Sequence, residues 1–222
     1  MNIAMIRGID ISHWQGDINF KKVASDDVNF CIIKAGGSDF SFYKDKKFES
    51  NYVAAKEAGL NVGAYYFVGK NFRGSENGLA DAKRFEAFLS GKQFEYPVFL
   101  DLETTDPKYK YEVTKAAISF LDYLESKGYF VGIYASDISG FKDRLDDSQL
   151  SKYTHWVASY TYEPRYIKNY GLWQYSSKGS VKGIVGSVDL DASTIDYSKT
   201  IIKKGFNGFK KTTKSKTEVK DV

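Results

Sequence analysis

Two carboxylates stand two residues apart at the end of an apolar run, Pro97-Val98-Phe99-Leu100-Asp101-Leu102-Glu103. Alternate residues of a strand point to the same face, so Asp101 and Glu103 project together where the strand ends. An unbroken apolar run is how a parallel strand buried on both faces reads. The C-terminal ends of such strands are where α/β barrels carry their chemistry. Two acids in that position suit cleavage of a glycosidic bond. One carboxyl, kept protonated, serves the leaving oxygen, and a second group stabilises the cationic carbon. A solvated acidic strand end is the plainer reading of the pair taken alone.

Further acids strengthen the chemical reading. Asp10 and Asp189 also fall at predicted strand ends, and Asp191 lies on the same predicted face as Asp189 and is an alternative to it. In a parallel barrel these ends converge on one mouth, so residues distant in sequence meet there. Like charges raise each other's pKa, and that repulsion holds a proton on one carboxyl near neutral pH, as a general acid requires. Aromatic residues accompany the acids: Trp14 after Asp10, then Tyr65, Tyr66, Tyr134, Trp156, Tyr160, Trp173 and Tyr175. Trp and Tyr offer a stacking face and a polar edge, which suits a sugar cleft, although some of these must be core.

The elements that would hold these residues alternate along the chain. Strand-like runs are Arg7–Ser12, Phe30–Ala35, Val62–Phe67, Pro97–Glu103 and Phe130–Ala135. Helical spacing runs through Lys46–Ala58, Ser75–Leu89 and Val113–Ser126, with Gly59 and Gly128 as stops. Three further strands, His155–Tyr160, Gly171–Tyr175 and Val188–Leu190, follow closely on one another. Five βα units and three directly joined strands predict an α/β barrel of eight strands that lacks its last helices. The 222 residues suit one such domain.

Composition excludes several other classes. The single Cys31 forms no intramolecular disulfide, and its apolar neighbours mark it as a small buried hydrophobe. His13 and His155 lack partners at metal-ligand spacing, and no Gly-x-Ser-x-Gly turn occurs, which argues against zinc and serine hydrolases. They read as local hydrogen-bonding residues, and neither a metal nor an organic cofactor is expected. The N-terminus has no long apolar core of a secretory signal and no run approaches a membrane span. Synthesis in the cytoplasm without stable membrane insertion is therefore expected. Residues 203–222 carry a net charge of +5, whereas the preceding 202 residues sum to −1. A near-neutral body with a basic end argues against nucleic-acid binding. It predicts a catalytic domain over residues 1–202 and a flexible, lysine-rich tail over 203–222.

The motifs taken in order resemble family 25 of the glycoside hydrolases, the lysozymes of phage endolysins and bacterial autolysins. The likeness rests on Gly8-Ile9-Asp10-Ile11-Ser12-His13-Trp14-Gln15-Gly16, Ile32-Ile33-Lys34-Ala35-Gly36, Val62-Gly63-Ala64-Tyr65-Tyr66-Phe67 and Phe99-Leu100-Asp101-Leu102-Glu103. It continues through Trp156-Val157-Ala158-Ser159-Tyr160, Leu172-Trp173-Gln174-Tyr175 and Val188-Asp189-Leu190-Asp191. This resemblance implies a flattened, TIM-like barrel of eight strands and about five helices. It implies hydrolysis of the β-1,4 bond between N-acetylmuramic acid and N-acetylglucosamine in peptidoglycan glycan strands.

On that match Glu103 is the general acid, and Asp101 orients the 2-acetamido group. Asp10 and Asp189 shape charge at the mouth. Tyr65, Tyr134, Trp156, Tyr160, Trp173 and Gln174 line the substrate cleft. The chain departs from the family at Gly36-Gly37-Ser38, where Thr-Glu-Gly is common, and at Tyr66, where a His is common. Both departures touch substrate contacts rather than the proposed acids. The resemblance also implies action at the bacterial wall, after release through a phage pore or by export. The charge of the basic tail, apart from the resemblance, suits weak contact with anionic wall polymers. A chitinase-like glycosidase and a wall-binding barrel without activity are the competing readings.

Overall fold

The computed structural model describes residues 5–211. Nine strands form one sheet: β1 (Ile6–Ile11), β2 (Phe30–Gly37), β3 (Tyr43–Lys44), β4 (Asn61–Val68), β5 (Val98–Leu102), β6 (Val131–Ser136), β7 (Thr154–Ala158), β8 (Leu172–Gly179) and β9 (Val188–Ser193). Eight of them close on themselves in the order β1-β2-β4-β5-β6-β7-β8-β9, and β3 is a short hairpin on the rim of β2. Five α-helices accompany them: α1 (Phe20–Ala24), α2 (Phe48–Glu57), α3 (Ser75–Leu89), α4 (Lys110–Ser126) and α5 (Tyr197–Lys204).

Strand alternation divides the buried side chains into two cores. Ile9, Ile11, Ile33, Val98, Leu100, Leu102, Ile133 and Val157 face outward and pack beneath the helices. Phe30, Ile32, Tyr65, Phe99, Tyr134, Trp156 and Leu172 face inward and fill the lumen, as barrel interiors do. Helices α3 and α4 lie so close together that a Cβ at Gly78 would run into the Ala116 carbonyl.

Two expectations about the last third of the barrel are corrected. The barrel is not wholly parallel: β9 runs antiparallel to both β8 and β1. Only residues 180–187 separate β8 from β9, too few for the crossover that a parallel pair needs. Nor does the barrel lack its last helix. In α5, Tyr197 and Ile201 stand four residues apart on one face and enter the lumen cluster from below. This helix plugs the floor instead of covering the wall, so a search for outer-wall periodicity passes over it.

The boundary expected at Lys203 falls inside α5. Gly205, with φ 76°, ends the helix in the left-handed conformation, and the chain then turns back under the barrel. Asn207 is fully buried there: its Nδ2 donates to Phe94 O at 3.0 Å and Tyr96 O at 2.9 Å, and its Oδ1 accepts from Phe130 N at 2.7 Å. Residues 203–211 therefore belong to the barrel floor, and the rest of the expected tail, residues 212–222, lies outside the described residues.

Candidate active site

The inward positions at the barrel mouth are acidic. On β5 the alternation Phe99, Asp101, Glu103 carries the lumen face from core to solvent, as the spacing predicts. Asp101 is 4% exposed, whereas Glu103, just beyond the strand, reaches the surface. Asp10 comes from β1 and sits opposite Asp189 of β9 in register. Because β9 runs the other way, Asp189 reaches the mouth from the start of its strand, and Asp191 lies one inward position deeper. Asp191 has no exposed surface.

The acids form two carboxyl pairs. Asp101 and Glu103 are within hydrogen-bonding reach of each other, as are Asp10 and Asp191. Among the described residues Asp101 Oδ1 and Asp191 Oδ2 accept from no N–H or O–H donor, which leaves a proton held between the paired carboxyls as the partner open to them. Burial pushes Asp101 well above the ordinary range, reinforced by the charge of Glu103 and opposed by Lys34. Glu103 is raised by burial, against the Asp101 hydrogen bond and the attraction of Lys34 and Arg144. Asp10 is raised well by burial and by Asp191 and Asp189, while Gln174 opposes the shift. Burial and the charge of Glu103 lift Asp189 to about 6, and burial lifts Asp191 to about 8.

These shifts fix the sign of a pH effect on stability. A carboxyl whose folded pKa lies above its unfolded value adds stability below the unfolded pKa and loses it as pH rises through the folded one. Asp191→Asn removes such a group and keeps a donor for Asp10. The melting temperature of the variant minus that of wild type is therefore expected to grow from pH 4 to pH 8. A difference that is flat, or that shrinks with pH, contradicts the pairing.

Neutral groups tie the acids together. Gln174, 2% exposed on β8, donates from Nε2 to Asp10 Oδ2 at 2.7 Å and more weakly to Asp189 Oδ2 at 3.4 Å. Its Oε1 accepts from Tyr134 OH at 2.8 Å and Tyr160 OH at 2.7 Å. Trp156 Nε1 donates to Asp191 Oδ1 at 2.8 Å. Lys34, the inward residue after Ile32 on β2, places its ammonium 4.5 Å from the Phe67 ring centroid and 5.9 Å from that of Tyr65. It has no carboxylate within ion-pair distance among the described residues, and it acts on Asp101 and Glu103 through its field.

A cavity of about 460 Å³ opens beside Glu103, lined by Tyr134, Asp137, Ser139, Tyr160 and Tyr162 among others. Asp137 opens a π-helical turn, Asp137–Lys142, and accepts from the backbone N–H groups of Arg165 (2.8 Å), Tyr166 (3.0 Å) and Ile167 (2.9 Å). Those bonds hold down the loop after β7 that carries Tyr160 and Tyr162. A second cavity of about 320 Å³, walled by Phe40, Phe42 and Arg84, lies on the β2–β4 side of the mouth and contains none of the four predicted acids.

Of the predicted site residues, Asp10, Asp101, Glu103, Asp189, Tyr65, Tyr134, Tyr160 and Gln174 meet at the mouth. Two others do not line the cleft. Trp173 is adjacent to inward Gln174 and so faces outward, its Nε1 on Ser159 O at 2.8 Å and its ring against Tyr175 at 5.8 Å. Trp156 does face inward but is 1% exposed, wedged among Tyr134, Phe99 and Tyr65. It forms the cleft's buried base. Sequence reasoning passed over Lys34 and Asp137 as site residues. The signal for Lys34 was available, since it follows Ile32 at period two on a strand end. His13 and His155 bond to Asp45 at 2.7 Å and Asp147 at 2.6 Å.

Known proteins resemble this chain in sequence and fold. The sequence profile of glycosyl hydrolases family 25 matches residues 9–184. An autolytic lysozyme of Clostridium acetobutylicum is 32% identical over 201 residues, covering 90% of this chain and 58% of its own length. The crystal structure of the CTP1L endolysin superposes with a TM-score of 0.77 at 28% identity, over 89% of this chain and 69% of that one. The modular autolysin LytC of Streptococcus pneumoniae, solved with a synthetic peptidoglycan ligand, superposes with a TM-score of 0.74 at 25% identity, over 85% of this chain and 46% of that one. The chain thus spans little more than half the length of the autolytic lysozyme. By profile, identity and fold, the chain belongs to glycosyl hydrolases family 25.

Proposed function

We propose that this chain is a muramidase that hydrolyses the β-1,4 bond between N-acetylmuramic acid and N-acetylglucosamine in peptidoglycan. The observation that supports this reading most is the Asp101–Glu103 pair, two carboxyls within hydrogen-bonding reach beside a cleft, both pushed above the ordinary carboxylate range by burial. Glu103, the exposed member, gives a proton to the glycosidic oxygen, and the leaving sugar departs as an alcohol. Asp101, buried beside it, orients the 2-acetamido group, and the negative charge that the transfer leaves on the pair offsets positive charge at the anomeric carbon. Water supplies the new bond at that carbon and returns a proton to the pair. Tyr160 and Tyr162 offer exposed rings to the sugar, while Tyr65, Tyr134 and Gln174 shape the base of the cleft.

The wall is the site of action on this reading. Lys203, Lys204, Lys210 and Lys211 are exposed near the floor, below the starts of β5 and β6. Contact of this basic end with anionic wall polymers leaves the mouth free for glycan. The test is release of reducing ends from purified peptidoglycan and from chitin oligomers in parallel. Release from peptidoglycan is the expected result. Release from chitin alone moves the assignment to a chitinase-like glycosidase, and wall binding without release moves it to a binding barrel.

A further inference from the structure

Gln174 is a buried amide with its hydrogen-bonding capacity fully used, and it sits between two carboxylates that it cannot protonate. Two phenol hydroxyls, from β6 and from the loop after β7, converge on its Oε1. A phenol flanked by carboxylates stays protonated: burial and the neighbouring acids push Tyr134 well up, and burial pushes Tyr160 up to about 12. Both hydroxyls are therefore donors at neutral pH, and the amide is held with its N–H bonds toward Asp10 and Asp189. Every element around Gln174 contributes to this setting. Asp10 faces it from β1, Asp189 and Asp191 from β9, Tyr134 and Trp156 from β6 and β7, and Tyr160 from the adjoining loop. No Lys, Arg or His forms an ion pair with these three acids among the described residues.

We infer that Gln174 is a positioning residue for hydrolysis, its tyrosine-locked amide holding the Asp10 and Asp189 carboxylates at the mouth beside Glu103. The inference rests on the muramidase reading for its kinetic consequences, but not for its geometry. An N–H at this position must be present at every working pH, which an amide guarantees and a carboxyl does not.

The Gln174→Glu variant turns that statement into a pH profile. Its carboxyl keeps the shape of the amide. While protonated it still donates to Asp10, and once ionised it presents a further negative charge to Asp10 and Asp189. Activity relative to wild type is expected to stay within about threefold near pH 4.5 and to fall by about 30-fold or more by pH 7.5. Gln174→Met, which never donates, is expected to lose about 10² at every pH. A Gln174→Glu to wild-type ratio that is constant across pH overturns the proposal, as does normal turnover by Gln174→Met.

A second measurement needs no substrate. In Tyr160→Phe, at a half-exposed position, one of the two donors on Oε1 is lost. The Asp10 carboxyl, followed by carbon-13 NMR, is then expected to titrate about 0.5 pH or more above wild type. Unchanged titration of both Asp10 and Asp189 overturns the proposal. Wild-type protein that releases nothing from peptidoglycan overturns the functional assignment instead, and the NMR result still decides the role of Gln174.

Discussion

Glu103→Gln is expected to leave the barrel folded and to lower reducing-end release from peptidoglycan by about 10³-fold. The amide keeps the side-chain shape at an exposed position beyond the end of β5, so no packing is lost. What disappears is the proton that the Asp101–Glu103 pair delivers to the glycosidic oxygen. The loss should fall on kcat, because a proton transferred in the transition state contributes little to binding intact glycan. Stability moves in the other direction, if at all. Removing the charge of Glu103 relieves the repulsion that raises both Asp101 and Asp189, so the melting temperature at pH 7 should match or exceed that of wild type. Near-normal turnover by this variant removes Glu103 from the acid role.

Asn207→Gly is expected to cost about 3 kcal/mol or more, because three buried backbone groups lose their partners at once. Phe94 O, Tyr96 O and Phe130 N all lie under the starts of β5 and β6 and all bond to the Asn207 side chain. Glycine is the informative replacement, since Asn207 has φ 53° and glycine adopts that conformation without strain. The loss then reports the hydrogen bonds, with a smaller contribution from the added freedom of glycine in the unfolded chain. In a domain of this size it lowers the melting temperature by about 6 °C or more. A change under about 2 °C contradicts the view that the chain beyond α5 is part of the floor. The expected kinetic effect is small, since Asn207 lies at the opposite end of the barrel from the acids.

Local pattern made much of this molecule legible. The run before Asp101 and Glu103 read as a buried parallel strand because β5 is covered on both faces, and alternation then put both acids on the lumen side. Helix α3 runs over the very residues its apolar spacing indicated, Ser75–Leu89. What escaped was set by tertiary context. The direction of β9 follows from the short connection to β8, which counts for more than the barrel's general parallel rule. The floor helix α5 carries only Tyr197 and Ile201 as buried residues, too few for a wall-helix pattern. Trp173 and Gln174 cannot both face the lumen of a regular strand, and the amide, with four polar partners waiting, is the one that does. The Asp101–Glu103 pair was visible in the spacing along one strand, whereas the Asp10–Asp191 pair depends on the pairing of the first strand with the last, which no local spacing encodes.

Cleavage on the muramic acid side is read from the identity of the new chain end. Purified peptidoglycan is digested, reduced with borohydride and analysed by mass spectrometry. N-acetylmuramic acid is expected to be the residue converted to its alditol, and the Glu103→Gln digest is expected to show none above background. Reduced N-acetylglucosamine at the new ends, or equal release by the variant, would contradict it.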